Sequence, residues 1–186
     1  MPSSQHSLQG KLILDSGKLQ GSFFDQSVIL LCRHDENGAF GLVLNRFSGH
    51  KLGDAIGESL SSYLEELPLL LGGPVQGELL SFLIHTPPQP NPEVLPWLNM
   101  GHSLLELKKH AEDLDNPQDA RVFAGYSGWS AGQLEQEIKN NCWLIHPATE
   151  ALVFQAKPEE LWRGILQQMG GIHSIMARSP DHPHLN

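Results

Sequence analysis

The sequence predicts an α+β domain. Its apolar runs are short and cut by glycine or proline, two of them sit back to back as a hairpin, and three helical segments carry their own start or stop signals. Antiparallel pairs outnumber plausible parallel crossovers, which separates this pattern from a doubly wound sheet.

Taken along the chain, residues 11–15 form the first strand around Leu12, Ile13 and Leu14. Residues 28–32 (VILLC) lead through Arg33 and His34 into the polar turn DENG, and the apolar run of 39–45 follows directly. Residues 27–45 therefore read as a β-hairpin with a four- or five-residue connection. Residues 52–67 read as a weaker helical region, interrupted by Gly53 and Gly57. Strands are expected again at 69–71 and 79–85, joined by a tight turn at Gly72, Gly73 and Pro74. That turn lacks the G-x-x-x-x-G-K-[ST] pattern of a phosphate loop.

The helices are better marked. Ser103 and Glu106 match a capping box, in which the serine accepts from an early amide and the glutamate returns the bond. Leu104, Leu107, Ala111 and Leu114 then form one face. Ser130 and Gln133 make a second box, with Leu134 and Ile138 facing inward. Pro158 suits the first position of a third helix, which buries Leu161, Trp162, Ile165, Leu166 and Met169 and stops at Gly170. Residues 142–145 and 151–154 read as a further antiparallel pair.

With 186 residues the chain is long enough to bury roughly 70% of its unfolded surface as one domain. Residues 10–178 read as that domain, with flexible ends at 1–9 and 179–186; the proline-rich 86–92 is a surface loop. The formal charge of −9, from 12 basic and 21 acidic residues, disfavours direct DNA binding. No run is apolar enough to span a membrane, and nothing at the N-terminus resembles a signal peptide. Cys32 and Cys142 show no CxxC spacing, so a reducing cytoplasm with free thiols is expected.

Three blocks carry a resemblance: 24–34 (FDQSVILLCRH) running on to 38–46 (GAFGLVLNR), Gly72 to Val75 (GGPV) with the apolar run to His85, and 123–135 (FAGYSGWSAGQLE) followed by Trp143 and Leu144. In order and spacing they resemble the YqgE/AlgH family, over about residues 10 to 170. The resemblance implies a bent, largely antiparallel sheet forming a pseudo-barrel flanked by helices. One bacterial branch of the family is labelled a transcriptional regulator of alginate synthesis, but the family supplies no agreed catalytic or DNA-reading residues. Arg33 stands where an acidic residue is usual, and Phe47 where proline is usual.

Four candidate sites remain, each with a structural alternative. Ser127 in GYSGW looks like half of a nucleophile elbow, but Trp129 takes the place of the final glycine; a glycine-enabled turn packing Tyr126 and Trp129 explains the segment without chemistry. The same turn delivers the chain to Ser130, where helix amides could hold an anion unless the capping box already satisfies them. Cys32 and His34 alternate along a strand and so share a face, as a thiol–imidazole pair, half a metal site, or a buried cysteine beside a bonded histidine. A metal would need further ligands such as His85 or Cys142. Arg46 could grip an anion or pair with Glu65 or Glu66. No complete catalytic set and no cofactor motif is present. The function expected is a non-catalytic binding or regulatory module for a protein partner or small anionic ligand; the alternative is a hydrolase or thiol-dependent enzyme using Ser127 or Cys32.

Overall fold

The computed structural model describes residues 7–57, 60–111, 114 and 116–178. The expectations for residues 1–6 and 179–186 lie outside them. Nine strands lie among the described residues: β1 (Lys11–Asp15), β2 (Val28–Asp35), β3 (Gly38–Val43), β4 (Phe47–Lys51), β5 (Pro68–Leu71), β6 (Val75–His85), β7 (Leu98–Gly101), β8 (Ala120–Ser130) and β9 (Trp143–Pro147). They interleave with helices α1 (Leu52–Ala55), α2 (Ser62–Glu65), α3 (Leu104–Ala111), α4 (Gln133–Lys139), α5 (Pro158–Met169) and α6 (Gly171–Met176). The architecture is α+β, built on one mostly antiparallel sheet that does not close.

The sheet bends into two leaves that share β8. Its first half lies between β5, in parallel (Leu70↔Phe123), and β6, antiparallel (Ser81↔Phe123). Its second half pairs with β3 (Gly41↔Ser127 to Gly38↔Ser130), which continues through β2 and β1 to β9. The switch occurs at Gly125, whose φ of +68° a side chain would strain. Here the backbones of two strands touch. A Cβ on Gly73 would stand 2.1 Å from the Tyr126 carbonyl carbon, and one on Gly125 would stand 2.6 Å from the Gly73 oxygen. The Gly72 carbonyl accepts from Val43 N at 2.9 Å and from Ser127 Oγ at 3.0 Å, tying the leaves together.

Both faces of the central strands are covered, which is why their sequences are continuous apolar runs rather than alternating ones. Leu12, Leu14, Leu30 and Phe123 pack with Leu161, Trp162, Ile165 and Leu166 of α5. Ile13, Ile29 and Val43 face the other way, toward Leu134 of α4 and the rings of Trp129 and Trp143. Phe82 and Val122, in the leaf that β5, β6 and β7 form with β8, meet Leu52, Leu64 and Leu107 of the first three helices. Each such large side chain contributes roughly 1.5–3 kcal/mol by leaving water.

Several expectations are corrected. The β2–β3 hairpin turns in residues 36–37 alone, with Asp35 paired to Gly38, rather than through four or five residues. The segment around GYSGW is no turn but part of the long central strand β8, bent by Gly125. Residues 151–154 are not a strand paired with 142–145; they lie in a π-helical turn closed by Ala156 N to Ala151 O at 2.8 Å. Val153 and Phe154 are consecutive and both buried in the α5 core, which a strand pointing neighbours to opposite faces would prevent. The region 52–67 holds two single-turn helices. Strands β4 and β7 and helix α6 were not anticipated.

The glycine contact sets a contrast. Gly73→Ala forces a methyl into the β8 backbone and should destabilise by more than about 4 kcal/mol. Gly77→Ala, with nothing within 4 Å of its Cβ, should stay within about 0.5 kcal/mol of the wild type. Urea denaturation of both variants checks this.

Candidate functional site

Where the leaves part, the fold opens a cleft of about 1030 Å³. Its cause lies in β6: Val75 pairs with Tyr126 and Leu80 with Ala124, so residues 76–79 bulge out opposite Gly125 alone. Gln76 sits in this bulge at φ +46°, a costly conformation for a side-chain-bearing residue. Its walls are lined by Val75, Gln76 and Leu79 of β6, Arg33 and Asp35 of β2, and Gln9 with Glu93. The floor is aromatic. The half-buried rings of Phe40 and Tyr126 lie 5.0 Å apart, tilted by 31°, and His102 meets Phe40 edge-on at 5.9 Å. Buried Ser81 holds the exposed His102 ring by its Nδ1 at 2.9 Å.

The expected site residues distribute unevenly around this cleft. Tyr126 and Trp129 line it. Trp129 is nonetheless mostly core: its indole and that of Trp143 both donate to Glu137 Oε2, at 2.8 and 2.7 Å, while Phe24 packs against both rings. Ser127 is fully buried and its hydroxyl is spent on Gly72. Among the described residues, the serine hydroxyl that bonds a histidine ring is that of Ser81, on His102, and not that of Ser127. Ser130 is exposed at the end of β8 and forms half of the expected box: Gln133 Oε1 accepts from its backbone N at 3.1 Å. The serine hydroxyl bonds that same oxygen instead of a helix amide, and Gly132 takes the N-cap position at φ +75°.

Cys32 and His34 do not share a face. The β2–β3 register shifts between Leu31 and Arg33, and this bulge inverts the alternation. Cys32 joins the α5 core beside the cleft floor, whereas His34 turns to the other side, 3.0 Å from Glu135 of α4. Burial, reinforced by the Glu93 carboxylate, pushes the Cys32 thiol well above its usual range, so it holds its proton at neutral pH. Among the described residues no three His, Cys, Asp or Glu side chains gather as a metal would require.

Arg46 meets neither Glu65 nor Glu66; Lys51 takes Glu66 at 2.5 Å. Arg46 instead donates to the Asp25 carbonyl at 2.8 Å and lies over the Phe23 ring. It thereby fastens the loop between β1 and β2, which Asp15 also anchors. That buried carboxylate accepts from the backbone of Gly17, Leu19 and Gln26 at 2.9–3.1 Å. Burial raises its pKa, with the three amides pulling the other way.

His102, Phe40 and Ser81 were missed by sequence reasoning. Only the β6–β7 pairing, Phe82 opposite Gly101, brings Ser81 beside His102. No local pattern marks that meeting.

A family model described as AlgH-like, DUF179, matches residues 12–174. The chain belongs to this family. Among relatives of the AlgH-like family, a UPF0301 protein of Chlamydia pneumoniae is 36% identical over 183 residues, covering 96% of this chain and 95% of the relative. One of Chlorobium limicola is 37% identical over 181 residues, covering 95% of each. The solution structure of the AlgH protein from Pseudomonas aeruginosa superposes with a TM-score of 0.72 at 29% identity, over 98% of this chain and 100% of that one. A crystal structure of a Corynebacterium diphtheriae protein, at 22% identity and TM-score 0.75 over 96% and 95% of the two chains, shares the fold. No helix among the described residues is long and apolar enough to cross a membrane.

These placements can be checked in two ways. In the native protein at neutral pH, iodoacetamide should modify half-exposed Cys142 and spare Cys32, with both modified in denaturant; intact-mass spectrometry reads the difference. Ser127→Ala should cost about 1–2 kcal/mol by leaving the Gly72 carbonyl one bond short, lowering the thermal midpoint by several degrees.

Proposed function

We propose that this AlgH-like chain is a non-catalytic binding module whose ligand sits in the cleft between the leaves. The observation that carries the reading is the floor of Phe40, Tyr126 and His102. Two ring faces suit a flat or apolar group, and an oriented imidazole suits a hydrogen-bonding or anionic one beside it. The walls carry both signs of charge, from Arg33, Asp35 and Glu93, which fits a polar ligand or a protruding segment of a partner protein better than a purely apolar molecule. Ser127 and Cys32 are both committed to the framework, which favours this reading over an enzyme built on either. A regulatory role, including one in transcription, would then run through the bound partner rather than through DNA, in keeping with the charge of −9. The free cysteines suit action in the cytoplasm.

The test is a titration of the isotopically labelled chain with separate panels of small carboxylates, nucleotides and short peptides, followed by NMR. Shifts should centre on Phe40, Tyr126 and His102 for at least one class. Tyr126→Ala should weaken that ligand about tenfold while the fold persists. Responses confined to other surfaces, or binding indifferent to Tyr126, would sink the proposal.

A further inference from the structure

His34 is a buried histidine with both ring nitrogens engaged. The backbone N–H of Leu8 donates to Nδ1 at 2.9 Å. An amide can only donate, so Nδ1 carries no proton and the neutral ring keeps its hydrogen on Nε2, facing Glu135 Oε1 at 3.0 Å. The carbonyl of His34 accepts from Ser7 Oγ at 2.7 Å, and Ser7 Oγ accepts in turn from Gln9 N at 3.2 Å. From there the Gln9 side chain reaches across to the Glu93 carbonyl and forms part of the cleft wall. One residue thus anchors the segment that closes one side of the cleft.

We propose that residues 7–9 are a strap latched by the unprotonated Nδ1 of His34, so that acidification releases it and opens the cleft on the Gln9 side. As a statement about access to a ligand site, this rests on the cleft being that site. A proton on Nδ1 converts the acceptor facing Leu8 into a donor, and two N–H groups then oppose each other where one bond stood. Glu135 faces the opposite nitrogen, Nε2, at 3.0 Å and leaves this clash in place. The other neighbours leave this balance intact. Residues 7–9 carry no charge, and neither does Ala39, which pairs with His34 from β3. On α4, Glu137 is held by two indoles and Gln133, and Lys139 is exposed. Arg33 and Asp35 lie on the cleft side and pair with each other at 3.8 Å. The closed strap therefore binds one proton fewer than the open one at Nδ1. Its closure is fully present at high pH and weakens as pH falls.

Amide hydrogen exchange on the ligand-free full chain, corrected for the intrinsic pH dependence of exchange, tests this without reference to any occupant of the cleft. Between about pH 8 and about pH 5, the span in which histidine changes charge, protection of Leu8 should fall about tenfold while that of Leu12 in β1 stays constant. In His34→Asn, whose Oδ1 can accept from Leu8 without titrating, Leu8 should stay protected throughout. A flat wild-type profile or an equal fall in His34→Asn overturns the strap; the wild-type profile decides even if the variant does not fold. Failure of the cleft as a ligand site appears separately, as missing ligand shifts at Phe40 and Tyr126.

Discussion

Backbone-to-backbone contact between Gly72–Gly73 and the segment 125–127 of β8 is the constraint on which the architecture rests. Only residues without a Cβ allow the approach, and only a positive φ lets β8 leave one leaf and enter the other. The three cores follow from this arrangement, since one leaf is covered on both faces, by α5 and by α4, and the other packs against α1, α2 and α3. The cleft follows as well. Strand β6 must swing away from β8 around Gly125, and the space it vacates lies over Phe40 and Tyr126.

The framework consumes the reactive groups that stand nearest to this junction. Ser127 closes a hydrogen bond across the leaves, Cys32 fills a core position created by a bulge, and Arg46 and Asp15 bind the loop between β1 and β2. What remains facing solvent at the cleft is recognition chemistry: rings, one oriented imidazole and a few charged termini. The glutamates of α4 divide the labour on the far side. Glu137 satisfies two buried indoles, and Glu135 accepts from His34.

Much of this is legible in the sequence, for reasons tied to particular elements. Lys11–Asp15 and Pro158–Met169 match their expected positions because runs covered on both faces, or on one helical stripe, are written locally in the sequence. The β8 segment reads as a turn because its glycines serve close packing and a bend, and glycine looks the same in either role. The shared face expected for Cys32 and His34 fails because a single bulged residue inverts every later position, and bulges leave no reliable local mark. At the site, Tyr126 and Trp129 are anticipated from the same aromatic, glycine-rich block. His102 and Ser81 are not, because their meeting depends on strand pairing between distant segments.

The shared strand also orders the birth of the molecule. Strand β8 completes both leaves, yet its residues 120–130 follow β3 and β5 by many tens of positions, and β1 finds β9 only near the end of the chain. As the polypeptide emerges from a ribosome, the β2–β3 hairpin can form at once, but neither leaf can be completed until most of the chain is free. Such late, distant pairing favours slow folding. It leaves the apolar edges of β3 and β5 uncovered meanwhile.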